Sequence, residues 1–160
     1  MPVSGPPHKQ PLGDPGPEVR LELCRRAVEG VDGLEVLDLE IVRGGPSFTV
    51  DTLRELDADR SGDDLTFIVG GDIALGVPTW REPTEVVRLA RLAVAQRSGA
   101  VRTDIEDRLA PLGARVDFFD MPRIDISSSD IRARIAVGRP VRFLVPDAVA
   151  AQIATAGLYR

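Results

Sequence analysis

The sequence contains very little cysteine, histidine and aromatic side chain. One cysteine, Cys24, and one histidine, His8, occur among 160 residues, and aromatic residues make up only 4%. A single cysteine excludes an internal disulfide. One cysteine and one histidine also provide no cluster with metal-ligand spacing, so no metal site is expected. A Ser-His-Asp arrangement for nucleophilic catalysis cannot be built around one histidine in a proline-rich segment.

The sequence also lacks an excess of positive charge and a long hydrophobic run. Its net charge of −5 argues against a strongly basic nucleic-acid binder. No stretch is long and apolar enough to cross a membrane, and residues 1–17 are rich in proline and glycine rather than resembling a signal peptide. We therefore expect a cytoplasmic protein that binds neither nucleic acid nor membrane. Its length and its 43% hydrophobic content predict one domain over residues 1–160.

Apolar segments alternate along the chain with helix-like segments. Helices are predicted over 18–30, 48–56, 82–90, 103–112, 128–137 and from about 146 to 156. Strands are predicted at Leu34–Ile41, Leu65–Val69, Leu92–Ala95 and Val116–Phe119. This alternation favours an α/β domain with a mostly parallel sheet and two helices at the C-terminus.

Polar and glycine-rich segments follow these predicted strands. They comprise residues 44–49, 70–72, 96–99 and 125–129. Because ligands of open parallel sheets bind beyond the carboxyl ends of the strands, this pattern predicts that the four segments converge on a ligand.

Three serines and an arginine mark the start of a predicted helix in Ile126–Arg132. Ser127 and Asp130 have capping-box-like spacing. The free N–H groups of a helix N-terminus, the hydroxyls of Ser127, Ser128 and Ser129, and Arg132 together suit a phosphate or polyphosphate. The alternative is plain helix capping.

Two further segments carry candidate binding residues. In Gly70-Gly71-Asp72, Gly71 allows a ligand to approach the backbone, and Asp72 can accept hydrogen bonds; the alternative is an ordinary turn with an Asp cap. Trp80, the only tryptophan, lies in a stretch without apolar periodicity and could present a flat face to an aromatic ligand. The alternative for Trp80 is packing against the edge of the sheet.

Ser47, Phe48 and Thr49 begin another predicted helix. Ser47 is expected to cap this helix, and the backbone of the segment could also contact the polar edge of a ring. Lys9 could pair with a phosphate, or it could belong to a disordered tail. Arg97 follows a predicted strand and could point to the same rim, or it could be a solvated surface arginine.

Taken together and in order, these segments resemble the bacterial nicotinate-nucleotide adenylyltransferases of the nucleotidyltransferase superfamily. The matching pieces are Pro6-Pro7-His8-Lys9, Gly45 to Leu53, Gly70-Gly71-Asp72, Pro78-Thr79-Trp80-Arg81-Glu82, Gln96 to Gly99, and Ile126 to Arg132. The last of these would fit several nucleotidyltransferases. The Ser-Phe-Thr-Val-Asp-Thr-Leu and Trp80 segments point to the nicotinate enzyme.

The resemblance implies a Rossmann-like fold and transfer of the adenylyl group of ATP to nicotinate mononucleotide. It implies that Ser127, Ser128, Ser129 and Arg132 hold the phosphates of ATP, which comes with Mg²⁺. It also implies a nicotinate mononucleotide site, with Trp80 stacking on the pyridine ring. The residues assigned to that site are Lys9, Ser47, Phe48, Thr49, Gly71, Asp72, Trp80 and Arg97.

One departure from the family pattern affects catalysis. The family opens with a strand-helix-strand unit that carries Gly-x-Phe-Asp-Pro-x-His-x-Gly-His, whose histidines hold the reacting phosphates, and the 160 residues contain no such motif. The sequence therefore offers no catalytic residue of its own, and we expect an N-terminally truncated fold, inactive by itself, that leaves apolar edges unpaired. The alternatives are a nucleotide-binding module without catalysis, an adenylyltransferase for another acceptor such as phosphopantetheine, and a domain whose rim loops are only caps and turns.

Overall fold

The computed structural model describes residues 2–3, 13–96 and 101–160. Three strands, β1 (Thr66–Gly70), β2 (Arg91–Gln96) and β3 (Val116–Asp120), alternate with helices in the middle of the chain. The helices are α1 (Pro17–Val28), α2 (Leu39–Arg43), α3 (Thr49–Asp59), α4 (Gly71–Gly76), α5 (Pro83–Leu89), α6 (Arg102–Leu109), α7 (Ser128–Ala136) and α8 (Asp147–Thr155). Short 3-10 turns follow α4 and α6, at Val77–Thr79 and Ala110–Leu112.

The described strands form one parallel sheet in the order β1-β2-β3. Phe67 pairs with Leu92 across the first ladder, and Val94 pairs with Phe118 across the second. The central strand β2 is the most apolar, and Leu92 and Val94 are fully buried. The prediction of an α/β fold with a parallel sheet is therefore confirmed.

Two clusters of buried side chains surround this sheet. The first, the sheet core, contains Val69, Ala74, Val77, Val87, Leu92, Val94, Ile105 and Leu109. The second, the α3–α5 cluster, contains Val50, Leu53, Val86, Leu89 and Ala90. Helices α4 and α6 therefore pack on the sheet, and α5 packs both on α3 and, through Val87, on the sheet core.

Strand β1 has a neighbour on one side only among the described residues. Ile68, in the middle of this strand, is 67% exposed. A parallel strand is normally covered on both faces and paired on both edges unless it lies at the border of the sheet. The expected unpaired apolar edge is therefore present in the described part of the chain.

The strand predicted at Leu34–Ile41 is wrong. Residues 34–38 have no regular structure, and Leu39–Arg43 forms the short helix α2. Alternation of apolar residues forms a strand only where a neighbouring strand supplies hydrogen bonds, and no described strand lies beside this segment. Leu34 is consequently 60% exposed.

The predicted helices are otherwise present with small shifts at their ends. Helix α1 begins with Pro17 at its first position and ends after Arg25 and Arg26, which complement the negative end of the helix dipole. Helix α8 buries Val149 and Ile153 as predicted, but Ala156 lies beyond the helix and is exposed.

The chain divides into two units. One consists of residues 48–124 and contains the sheet, and the other consists of residues 1–47 and 125–160. Helices α3 to α6 belong to the first unit, and α1, α2, α7 and α8 belong to the second. The single domain predicted over 1–160 stays a prediction.

Candidate functional site

Trp80 follows the 3-10 turn at the end of α4. Its backbone N–H donates to the carbonyl of Val77 at 3.0 Å, and the Thr79 hydroxyl donates to the carbonyl of Gly76 at 2.7 Å. The indole is half-buried and meets the Phe67 ring edge-to-face, with centroids 6.0 Å apart. Packing of Trp80 against the sheet, one of the two alternatives, is therefore present, and the role of its remaining exposed face toward an aromatic ligand stays a prediction.

Phe48 stands at the start of α3 beside the same group of side chains. Phe48 and Trp80 both pack against the α3–α5 cluster. The guanidinium of Arg81 lies 4.8 Å from the centre of the Phe48 ring, which is a cation–π contact. The structure thus brings two of the predicted binding residues, Phe48 and Trp80, to one cluster in the sheet-containing unit.

The capping role predicted for Ser47 is wrong. Helix α3 begins at Thr49 with Phe48 as its N-cap, and no side chain caps it. The Ser47 hydroxyl oxygen is closed off from solvent and has no hydrogen-bond partner among the described residues. Because an N-cap side chain must reach the N–H groups two or three residues on, Ser47 lies one residue too early. Asp51 lies in the first turn of α3, where its carboxylate complements the positive end of the helix dipole.

Ion pairs join the residues after Trp80 to helix α3. Arg54 donates to both carboxylate oxygens of Glu82, at 3.2 and 2.6 Å, and Arg81 reaches a carboxylate oxygen of Asp51 at 3.5 Å. The hydrogen bond from Arg54 holds the pKa of the Glu82 carboxyl below its usual range. The sequence does not predict this Arg54–Glu82 contact, since the two residues lie 28 positions apart and share no local motif.

Gly70, Gly71 and Asp72 occupy the carboxyl end of β1. The strand ends at Gly70 and α4 begins at Gly71 without a connecting turn. A Cβ atom at Gly70 would lie 2.8 Å from a carboxylate oxygen of Asp72, so a residue without a side chain lets this carboxylate fold back over the backbone. Asp72 itself is exposed and available to a ligand.

The carboxyl ends of the three strands lie at one edge of the sheet, as predicted. Gly70 pairs with Ala95, and Gln96 pairs with Asp120. Lys9 and Arg97, both assigned by the resemblance to the nicotinate mononucleotide site, lie outside the described residues, so their roles stay predictions.

Residues 127–132, here called the Ser127 turn, open helix α7 in the second unit. Ser127 is the N-cap: its hydroxyl oxygen accepts from the N–H of Asp130 at 3.0 Å, and its O–H donates to the Asp130 carboxylate at 2.7 Å. Ser127, Ser128 and Ser129 are all exposed. The predicted capping pair is therefore confirmed, and the helix N-terminus stays open to an anion.

Arg132 is held at the same turn. Its guanidinium donates to the Ser129 hydroxyl oxygen at 3.2 Å. Ser127, Ser128 and Arg132 line a hollow of about 300 Å³ in this unit, together with apolar side chains of α7 and α8 and with Tyr159. Burial raises the pKa of the Tyr159 phenol, and the nearby positive charge of Arg132 opposes that rise.

The described residues contain no group of three or more His, Cys, Asp or Glu side chains that could hold a metal ion. No helix among them is long and apolar enough to span a membrane. The two candidate regions, around Trp80 and at the Ser127 turn, belong to different units, and their convergence on one ligand stays a prediction.

The described residues combine a parallel sheet, a Gly-Gly-Asp segment where β1 passes into α4, and a helix whose N-terminus carries three serines, which together define an α/β protein. The family model described as cytidylyltransferase-like matches residues 2–134. The chain thus falls in the cytidylyltransferase-like class.

Relatives within this class narrow the assignment. A probable nicotinate-nucleotide adenylyltransferase of Desulfitobacterium hafniense (strain Y51) is 38% identical over 164 residues, which cover all of this chain and 79% of the relative. Another, from Roseiflexus sp. (strain RS-1), is 41% identical and covers 90% of this chain and 73% of the relative. The chain belongs to the nicotinate-nucleotide adenylyltransferase family.

Solved structures support the fold. The Plasmodium falciparum nicotinic acid mononucleotide adenylyltransferase complexed with APC superposes with a TM-score of 0.66, and the same enzyme complexed with NaAD superposes with a TM-score of 0.65. The match covers 89% of this chain and 75% of the chain complexed with APC. With sequence identities of 15% and 14%, this likeness confirms the Rossmann-like nucleotidyltransferase fold alone.

Proposed function

We propose that this protein serves adenylyl transfer from ATP to nicotinate mononucleotide, giving deamido-NAD and pyrophosphate. A phosphate oxygen of the mononucleotide attacks the α-phosphorus of ATP, and the bond to the β-phosphate breaks to release pyrophosphate. The observation that carries the proposal is the half-buried Trp80 ring, which packs with Phe48 on one cluster in a chain of this family. An aromatic face with a fixed plane suits a flat pyridine ring.

The residues of this chain would bind and orient the two nucleotides. Ser127, Ser128, Ser129 and Arg132 present hydroxyls, helix N–H groups and a guanidinium, which are the groups that bind phosphates. Phe48, Thr49 and Asp72 would surround the nicotinate nucleotide beside Trp80, with the backbone of Gly71 at the end of β1. Alignment and charge neutralisation are the main requirements of such a transfer.

We propose that Mg²⁺ enters together with ATP. Magnesium usually keeps several waters and takes one or two carboxylates plus the phosphates of the substrate. A chain whose described residues form no acidic cage fits delivery of the ion on the nucleotide. When bound, Mg²⁺ neutralises negative charge on the phosphates.

A second candidate function is nucleotide binding without catalysis by these 160 residues alone. The only histidine of the 160 residues is His8, whereas the family pattern places the reacting phosphates on the histidines of a His-x-Gly-His motif. Binding and turnover must therefore be measured separately.

A titration of the purified protein separates the candidates, because the emission of its single tryptophan reports on Trp80. We expect nicotinate mononucleotide to quench this emission and phosphopantetheine to leave it unchanged. Pyrophosphate release with ATP and Mg²⁺ then supports the transferase, and quenching without release supports the binding module. Absence of quenching at millimolar nicotinate mononucleotide would overturn both.

Two arginine variants test the ATP side. Arg132→Gln should weaken ATP binding by about tenfold or more, the loss of one charge-assisted contact to a phosphate. Arg134→Gln is the matched control, since it removes an exposed arginine of the same helix two residues further on. Equal ATP affinities in the two variants would remove Arg132 from the proposed site.

A further inference from the structure

The two residues that follow Trp80 are both attached to helix α3. Arg81 stacks on Phe48 and lies 3.5 Å from the carboxylate of Asp51. Glu82 receives two parallel hydrogen bonds from Arg54, with N–O distances of 3.2 and 2.6 Å. Every one of these contacts crosses from α3 to the segment that carries the tryptophan.

The backbone of Glu82 requires such a partner. Glu82 has φ 49° and ψ 58°, the left-handed region that a residue with a Cβ atom rarely adopts. It is the N-cap of α5, and no side chain caps that helix. Strained backbone of this kind persists where the surrounding contacts fix it, and the described contacts of the Glu82 side chain come from Arg54 and Arg81.

The orientation of Trp80 depends on this segment. On its N-terminal side, the 3-10 turn fixes the backbone through the Trp80–Val77 hydrogen bond. One part of the indole packs on Phe67 of β1. On its C-terminal side, the chain leaves toward Glu82, which is held on α3. The backbone that carries the ring is thus bounded by the 3-10 turn on one side and, two residues beyond Trp80, by the Arg54–Glu82 pair.

We infer that Arg54 is a positioning residue for the nicotinate-nucleotide site, because its two-point contact with Glu82 holds the segment that carries Trp80. This inference rests on the proposed function, in which Trp80 stacks on the pyridine ring. Arg54 touches no substrate in this account and acts on Trp80 through Glu82, the nearest of its carboxylate partners at 2.6 Å. Its contacts with Glu85 and Asp51 are longer, at 3.7 and 3.9 Å. Its loss must therefore change the binding of nicotinate mononucleotide and leave that of ATP unchanged.

The test compares Arg54→Gln with Arg88→Gln in the full chain. Arg88 makes a similar exposed two-point contact, to Glu85 at 2.7 and 3.0 Å, on α5. Glu85 also lies 3.7 Å from Arg54, but loss of Arg88 leaves the Arg54–Glu82 contact in place. We expect Arg54→Gln to raise the dissociation constant for nicotinate mononucleotide about tenfold, as expected for a misplaced binding group. Arg88→Gln should leave it unchanged, and both variants should bind ATP as the unmodified protein does.

The tryptophan gives a second readout that needs no ligand. Near-ultraviolet circular dichroism and acrylamide quenching report how firmly the indole is held. Arg54→Gln should lower the dichroism of Trp80 and increase its quenching, whereas Arg88→Gln should alter neither. Arg54→Lys keeps the charge but cannot make the two-point contact, so it should lie between the Gln variant and the unmodified protein.

The outcomes separate this inference from the proposed function. If Arg54→Gln keeps both the Trp80 dichroism and the affinity for nicotinate mononucleotide, the positioning role is overturned while the function stands. If the unmodified protein binds no nicotinate mononucleotide but Arg54→Gln still loosens Trp80, the function fails and the positioning of Trp80 stands. Should Arg54→Gln not fold, Arg54→Lys decides: full retention of both signals contradicts the inference.

Discussion

The segment around Trp80, residues 77–82, and the Ser127 turn differ in what holds them. The Trp80 segment is fixed by residues distant in sequence: Phe67 of β1 and Arg54 of α3. The Ser127 turn is fixed by itself, with Ser127 bonded to Asp130 and Ser129 bonded to Arg132. A turn stabilised by tertiary contacts loses its shape with the packing around it, whereas a self-capped turn needs only its own helix.

Removal of the indole should have the largest effect, and it tests whether tertiary contacts stabilise the Trp80 segment. Trp80→Ala removes contacts to both the sheet core and the α3–α5 cluster. We expect the free energy of unfolding to fall by about 3 kcal/mol, the low end for such a truncation because the ring is only half-buried. Urea unfolding followed by far-ultraviolet circular dichroism measures it.

Trp80→Phe keeps an aromatic ring on the same clusters and serves as the control. It should retain most of the stability that Trp80→Ala loses. Equal unfolding midpoints for Trp80→Ala and the unmodified protein would show that the ring carries none of the packing.

Two substitutions of Ser127 test whether the Ser127 turn is stabilised by its own cap and whether it binds a phosphate. Ser127→Ala removes the N-cap of α7 and should cost about 1 kcal/mol. Ser127→Asp supplies an equally good cap but places a carboxylate where a phosphate is proposed. We therefore expect the Asp variant to retain stability and lose ATP affinity, measured by urea unfolding and by calorimetric titration. An Asp variant that binds ATP normally would separate the cap from the proposed phosphate site.

The contrast explains how much of the structure could be predicted from the sequence. The buried strands and the Ser127 cap follow from signals within a few residues, namely apolar runs and capping spacing. The strand predicted at Leu34–Ile41 is absent because a strand forms only beside a pairing strand, which the local alternation of apolar residues does not reveal. The Arg54–Glu82 contact was missed because two surface charges 28 residues apart give no local signal.

Gly70→Ala, which adds a methyl group at the end of β1, should have a smaller effect. We expect it to change the binding of nicotinate mononucleotide and not the stability. In Gly70→Ala the new Cβ would lie 2.8 Å from the Asp72 carboxylate, which must turn away. The backbone angles of Gly70, φ −76° and ψ 158°, suit alanine, so stability should change by less than about 0.5 kcal/mol. Affinity for nicotinate mononucleotide should fall a few-fold.

Gly76→Ala is the matched control for that change. Its nearest neighbour, the Trp80 indole nitrogen, would lie 3.9 Å from the Cβ, an ordinary contact. If both alanine variants bind alike, the Asp72 carboxylate has no part in binding.

The smallest expected effect is on pH dependence. Arg54 lowers the pKa of Glu82 through its hydrogen bond, so folded Glu82 binds a proton less readily than unfolded Glu82. Its stabilisation is present above the ordinary glutamate pKa of about 4.3 and disappears as the pH falls through the lower folded value. Urea midpoints measured from about pH 6 to pH 3 should fall less steeply in Glu82→Gln.

High salt should have a similar effect on this slope, because the Arg54–Glu82 pair is exposed and screening shortens the reach of its charges to about 3 Å at 1 M ionic strength. If the urea midpoint falls with pH equally steeply in Glu82→Gln and in the unmodified protein, the Arg54–Glu82 pair does not contribute to stability.

The exposed side of β1 has a consequence for handling the chain in solution. An edge strand with free N–H and C=O groups and an apolar side chain at its centre is a template on which another polypeptide can add a strand. Ile68 and the edge of β1 that no described strand pairs combine both features. At high concentration, aggregation should therefore begin at this edge, and Ile68→Lys should reduce it by placing a charge at the centre of the strand.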